Sequence, residues 1–500
     1  MELSAQPHYR KTVTELVADG TIVGEREKSM RALGPLLAVV APVVLLLVGL
    51  AAFAPALTIQ DFWLALVSGR EIAMHGLPTV DHLTVMASGH HWVDQQWLAQ
   101  FLLYESARIG GVGAAAAICL AAIATALFLA GHIAYSRGAS PLAILVFLLV
   151  SVAAAPWGMQ FRPQALALPF FALTMWLLVR DPDARRTSTL WVLPVLCVWA
   201  NLHGSVVLGG LLVVSYGLQA LVRGAVGAAR RRAVACILIS PLALLASPYA
   251  LSLPGYYRLM LFDPPFGREI REWQRTTPSA ITAVFFALVA AAAVLAVTRR
   301  NRLSVFDALV LLLMLAVGFE ALRGIVWFGL AAAALLPALA TREPGTAKLE
   351  GRAAGAVAAL AIVLGLGAIA WTAARPASSY SSRFSPALLQ AVRAHTEHGH
   401  ARVLADDASA DWLLWSLPSL RGRVAYDVRF ELLTSEQIGH LVAWGRLTPG
   451  WRTAANGYSV VVGSPKHVAS LLATGRWRRV YSSSQTDVAV RLAAWENGRS

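Results

Sequence analysis

The run LGPLLAVVAPVVLLLVGLAAFAPAL, residues 33–57, decides the fold. It is about 25 residues long and carries no charge, against roughly 7–15 residues for a signal-peptide core and about 20 for a bilayer crossing. The polar segment before it, residues 1–32, holds Arg10, Lys11, Arg26, Lys28 and Arg31. Together they predict a retained signal-anchor helix whose N-terminus stays in the cytoplasm.

Ten more apolar runs follow, at 112–134, 142–157, 165–178, 190–200, 205–222, 234–251, 280–297, 305–319, 325–340 and 353–372. The chain is 57% hydrophobic and 14% charged, where soluble domains carry about a quarter charged residues. The net charge of +14 therefore does not indicate nucleic acid. With the N-terminus inside and the runs alternating, about 19 Lys and Arg fall on inner connections and about eight on outer ones, the bias that orients membrane proteins. Anionic lipid headgroups are the partners such clusters imply. Cys119, Cys197 and Cys236 lie inside apolar runs, which excludes a disulfide framework.

This alternation predicts an all-α polytopic membrane domain of about 11 transmembrane helices over 33–375. It has two long outer loops, 58–111 and 252–279. Beyond residue 376 the composition turns mixed, starting with Ser378, Ser379, Ser381 and Ser382. Short β-like runs at 402–404, 423–426, 458–462, 478–481 and 488–492 alternate with helical stretches, which predicts a small extracytoplasmic α/β domain over 376–500.

Polar groups at the edge of hydrocarbon need partners or water. Four sets fall on the outer side: Phe161-Arg162-Pro163, Asn201-Leu202-His203-Gly204, Glu320-Ala-Leu-Arg323, and the aspartates of the first loop. Each alone reads equally well as a helix end at the headgroups; all four on one face predict a shared polar cavity opening outward. Asp61 and Asp94 are the candidate carboxylates for taking a proton from an acceptor hydroxyl. Arg162, Arg268, Arg271 and Arg323 are the candidate cations for a departing phosphate, which guanidinium grips in a bidentate way. Asn201, His203, Glu272 and Glu320 complete the predicted binding set. His75, His90 and His91 match no zinc spacing, so no residues are assigned to a metal, and a divalent cation held by carboxylates is carried only as an alternative.

The first loop, with Asp61-Phe-Trp, Ser68-Gly69-Arg70-Glu-Ile, His75-Gly-Leu-Pro78, Asp81 and Trp92-Val-Asp94-Gln-Gln-Trp97, resembles a bacterial family of polytopic proteins related to GT-C-type glycosyltransferases. Arg162-Pro-Gln, Trp199-Ala-Asn201-Leu-His203-Gly204, Ser247-Pro-Tyr249, Glu272-Trp273 and Ala425-Tyr-Asp427-Val-Arg429 are similar to later motifs of that family. The resemblance implies an inner-membrane enzyme that takes a hexosyl or pentosyl group from a polyprenyl-phosphate carrier on the outer face. The chain departs from the pattern at Ala65, Gln95 and Gln96, where a His and a His-Glu pair are expected. The alternatives are therefore a non-catalytic protein that binds or moves a lipid-linked glycan and, less well matched, a secondary transporter.

Overall fold

The computed structural model describes residues 21–181, 183–262, 264–341, 351–397 and 399–492. Residues 1–20, the connection with Arg342 and Lys348, and the side chains of Arg26, Lys28, Arg31 and Arg352 lie outside the described residues. Every apolar run overlaps a helix, although the run 234–251 is helical only as far as Ala243. In chain order these are α1 (Thr21–Ala52), α2 (Gln60–His75), α3 (Trp97–Ser136), α4 (Pro141–Ala154), α5 (Pro163–Val179), α6 (Val192–Trp199) and α7 (Val206–Val222). There follow α8 (Gly227–Ala243), α9 (Leu253–Phe262), α10 (Ala283–Thr298), α11 (Val305–Glu320), α12 (Ile325–Ala340) and α13 (Gly351–Ala374). Among the described residues, three helices are long and apolar enough to cross a membrane by length and composition, spanning Trp97–Ser136, Leu322–Ala340 and Gly355–Ala374. Six shorter apolar helices of 10–17 residues accompany them.

α2 and α9 are not apolar runs: they come from the two long outer loops. The short apolar stretch after Trp97 is continuous with the next run rather than separate from it. The two join in α3 through a kink at Gly110 and Gly111. Gly111 has φ 76°, a left-handed conformation that costs glycine nothing and other residues about 1 kcal/mol or more. α3 is the central element and packs along α1, α2, α5, α12 and α13.

Helix ends gather in two layers. In one, Arg137 pairs with Asp307 at 2.5 Å, Arg302 Nη1 donates to Thr341 O at 3.2 Å, and Ser140 N donates to Thr341 Oγ1. In the other, Phe161 N donates to Leu57 O at 2.8 Å, Leu98 N to Asn201 O at 3.1 Å, and Leu322 N to Gln274 O at 3.1 Å. The first set joins the connections that follow α3, α10 and α12, and the second joins the segments around residues 57, 98, 161, 201, 274 and 322.

Past residue 376, Pro386–Ala394 (α14), Asp407–Ser416 (α15), Ser435–Arg446 (α16) and Pro465–Leu472 (α17) surround a four-stranded sheet. Its strands are β1 (Val403–Ala405), β2 (Val460–Gly463), β3 (Trp477–Tyr481) and β4 (Asp487–Arg491), ordered β1-β2-β4-β3, with β1 parallel to β2 and the other pairs antiparallel. The expected serine linker is partly helical over Ala377–Tyr380, and buried Tyr380 donates from its hydroxyl to Thr372 O.

This region is stitched to the first outer loop. Val85 N donates to Val424 O at 2.8 Å, Met86 N to Ala425 O at 3.0 Å, and Gly422 N to Leu83 O at 2.8 Å. Val424 bridges in turn to β1 at Val403, so the loop extends the sheet. Arg421 pairs with Glu71 at 2.8 Å, and Arg70 caps the last carbonyls of α15 at Leu414 and Trp415. Arg429, Asp81 and Asp427 form a buried triad beneath Trp92, whose ring lies 4.1 Å from the guanidinium. A buried charge is tolerated only when paired and hydrogen-bonded, so these groups fix the loop rather than face an acceptor.

Candidate active site

Two helix starts and a loop turn bring the site together. Asp61 lies in the first turn of α2, Arg162 immediately precedes α5, and the bridge between Thr58 and Phe161 sets the two segments side by side. Pro163 suits this start, since its fixed φ fits a first helical turn and it lacks an N–H that would go unpaired. Arg162 is buried, and its Nη1 donates to Glu272 Oε2 at 3.0 Å and reaches Asp61 Oδ2 at 3.5 Å. Glu272 arrives on the Arg271–Trp273 turn of the second outer loop. Arg323 stacks on the neighbouring Trp273, 4.3 Å from the ring centre. Two carboxylates and two guanidiniums from four separated segments thus share one cluster.

The Asp61 side chain is 31% accessible, so part of its carboxylate is open to an approaching group although protein surrounds it. Burial raises its pKa, and Arg162 pulls the other way. Burial alone would also raise Glu272, but Arg162 and then Arg323 outweigh it, so Glu272 is held below the usual range. Arg162 Nη2 is buried without a hydrogen-bond partner among the described residues, leaving a guanidinium donor uncommitted beside Asp61 and Glu272.

His203 belongs to the same neighbourhood. Burial, then the charges of Arg323 and Arg162, hold its pKa well below the ordinary value. Its Nδ1 accepts from Ser205 N at 3.1 Å, and a backbone amide can only donate, so the neutral ring carries its proton on Nε2. The ring can therefore offer one N–H donor and cannot compete for a proton.

The structure does not bring the other expected residues here. Asp94 is 2% exposed, with one carboxylate oxygen lacking a partner. Burial pushes its pKa up to about 7. Asn201 is committed to the scaffold: its Oδ1 accepts from Trp97 Nε1 at 2.8 Å, and its Nδ2 donates to Cys197 O and Ala246 O. Glu320 sits on the surface, 72% exposed and 3.6 Å from Arg275, while Arg268 and Arg271 are exposed on the second outer loop. Loop arginines are free to turn to solvent, whereas Arg162 is fixed by the helix start that follows it. Ala65 is buried in the core, and Gln95 packs beside Gly204.

Residues the sequence reading left out come from the far end of the chain. α15 packs on α2 with Arg70 at its last turn and Asp61 facing its first. Asp407 and Asp411 lie one helical turn apart on one face of α15, both within electrostatic reach of Asp61. Asp411 is fully buried, with neither oxygen hydrogen-bonded among the described residues. Burial also pushes Glu431 up to about 7. Glu431 and Tyr256 line a cavity of about 360 Å³ between α9 and the segment His91–Val93. The acidic i, i+4 pair in a helical stretch was the available signal.

Among the described residues no group of three or more His, Cys, Asp or Glu is placed to hold a metal, and Asp61 and Glu272 already share Arg162 as counter-charge.

No family model matches the chain, and the comparison with curated proteins finds no match. Among solved structures, the chain is similar to ArnT from Cupriavidus metallidurans in the apo state, at 15% identity and TM-score 0.48, covering 90% of this chain and 98% of that one. It is similar to the same protein bound to undecaprenyl phosphate at 15% identity and TM-score 0.49, with the same coverage. It is also similar to the archaeal oligosaccharyltransferase AglB from Archaeoglobus fulgidus, in complex with an inhibitory peptide and a dolichol-phosphate. That match has 12% identity and TM-score 0.39, covering 90% of this chain and 74% of that one.

Proposed function

We propose that the chain is an integral membrane glycosyltransferase of the bacterial inner membrane, moving a sugar from a polyprenyl-phosphate carrier to an extracytoplasmic acceptor. About 11 helices cross the bilayer, with the N-terminus in the cytoplasm and the region beyond residue 376 outside. The observation that carries the reading is the cluster of Asp61 with Arg162, Glu272 and Arg323 at one layer of helix ends.

The chemistry follows from the groups. An acceptor hydroxyl attacks the anomeric carbon, its oxygen–carbon bond forms, and the carbon–oxygen bond to phosphate breaks. The hydroxyl proton passes to a carboxylate of Asp61, whose burial makes it a stronger base than a free aspartate. The departing phosphate gains negative charge, which Arg162 and Arg323 are placed to neutralise. Glu272 stays ionised and fixes Arg162. His203 contributes a neutral N–H donor without taking the proton.

A second reading, a protein that binds or moves a lipid-linked glycan without transfer, is favoured by Ala65, Gln95 and Gln96, which bring no ionisable group to the site. Comparing lipid extracts of a deletion strain and its parent tests the enzyme directly. Accumulation of a polyprenyl-linked sugar in the deletion, reversed by the wild-type chain but not by Asp61→Asn, is the expected result. Full reversal by Asp61→Asn would support the second reading.

A further inference from the structure

At the other layer of helix ends a cavity of about 450 Å³ is lined by Arg137, Arg302, Asp307, Thr341, Leu335 and Leu339, among others. It lies well away from Asp61: between Cys119, which lies against the Arg162 backbone, and Arg137, α3 rises about 27 Å. The cavity therefore takes no part in the transfer chemistry.

Both arginines are held in place. Arg137 Nη2 donates to Asp307 Oδ2 at 2.5 Å, and Asp307 is itself fixed in a capping box with Ser304 at the start of α11. Arg302 Nη1 donates to Thr341 O at 3.2 Å, and Thr341 is locked by Ser140 N and Pro337 O. A guanidinium has five N–H donors, so each retains donors beyond these bonds. Among the described residues Asp307 offsets one of the two lining charges, leaving one positive charge in excess, and guanidinium forks match phosphate. The remaining wall is apolar, from Leu335 and Leu339 on α12. A small soluble anion gains nothing from such a wall, but the glycerol and first methylenes of a lipid do.

We infer that this cavity binds the phosphate-bearing headgroup of an anionic phospholipid, with Arg137 and Arg302 on the phosphate and α12 against the lipid's apolar part. Basic pockets between helices are where such headgroups are recognised. The inference does not depend on the glycosyltransferase reading, because none of these residues belongs to the Asp61 cluster.

The test is native mass spectrometry of the purified full chain with added phosphatidylglycerol, phosphatidylcholine or inorganic phosphate. Phosphatidylglycerol is expected to bind at least about tenfold more tightly than phosphatidylcholine, and inorganic phosphate not to displace it. Arg302→Gln removes one charge-assisted contact and should weaken phosphatidylglycerol binding about tenfold. Arg137→Gln also strips buried Asp307 of its partner and is read only where the protein remains folded. Arg231→Gln, an exposed charge on α8 outside the pocket, should change binding less than twofold. Equal retention of the two lipids, equal loss in Arg231→Gln, or displacement by inorganic phosphate would each overturn the assignment.

Discussion

Arg429 reaches back 348 residues to donate to Asp81 Oδ1 at 2.6 Å, with both side chains buried. Burial alone would raise Asp81, but Arg429 outweighs it and holds that carboxyl below its usual range. The first outer loop and the C-terminal region are thus joined by a charge pair as well as by backbone bonds.

Replacing Arg429 with Met removes the cation and leaves Asp81 and Asp427 buried without it. Breaking a buried pair from one side costs about 3–5 kcal/mol, so the melting temperature in detergent should fall sharply. Because Asp81 is depressed in the folded state, its contribution is present above the ordinary aspartate range and is lost as the pH falls through the folded value. The wild-type melting temperature should therefore drop on acidification more steeply than that of the variant. Parallel curves would show that the triad adds nothing.

Asp61→Asn keeps the side-chain shape and removes the base. Turnover should fall about 10²–10⁴-fold, while binding of polyprenyl phosphate stays near wild type. Burial raises the Asp61 pKa, so wild-type turnover should begin to decline on acidification above the range where a free aspartate titrates. A variant that retains wild-type turnover removes Asp61 from the chemistry.

Arg162→Leu should weaken polyprenyl-phosphate binding about ten- to hundredfold, the value of one charge-assisted hydrogen bond. Arg271→Leu, in the exposed part of the second outer loop, should leave it within about twofold. The contrast, measured by titration of the purified protein, separates a phosphate site from general positive charge.

Asp94 is expected to be structural. Its pKa of about 7 in the folded chain lies above that of an unfolded aspartate, so the folded state loses stability as the pH rises between those values. Asp94→Asn should raise the unfolding free energy at pH 8 more than at pH 5, by on the order of 1–3 kcal/mol, read as a larger gain in melting temperature at the higher pH. Collapse of turnover in an intact, stable Asp94→Asn protein would return Asp94 to the catalytic role that its place in the first loop suggests.

Gly69 lets α2 approach α3. A Cβ there would lie 2.2 Å from Gln100 O and 2.5 Å from the Tyr104 Cβ, and the nearer atom belongs to a helical backbone that cannot swing aside. Gly69→Ala should cost about 1–3 kcal/mol as overpacking, seen as a lower melting temperature and poorer recovery of folded protein. A normal melting curve would mean that the helices separate without penalty.

The helices were legible because uncharged runs of this length leave the backbone no other way to satisfy its hydrogen bonds in lipid. Arg162, His203, Glu272 and Arg323 were legible as polar groups at apolar edges. Their meeting with Asp61 was visible only as a shared side, since no spacing in sequence links residue 61 to residue 272. Arg268, Arg271 and Glu320 carry the same chemistry but sit where the chain is free to turn outward. Asp407 and Asp411 show an acidic i, i+4 spacing, but that spacing does not tell that α15 lies along α2 beside Asp61.

The stitching of residues 83–86 to 422–425 has a consequence for the order of biogenesis. The loop that carries Asp61 is among the first parts of the chain to leave the ribosome, yet its backbone partners and the cation for Asp81 come more than 300 residues later. The loop must wait with its edge unpaired until residues 422–429 have been made. A nascent chain stalled before Arg429 would hold its helices but lack the partners of that loop. The docking of the two regions would come as a late, single event.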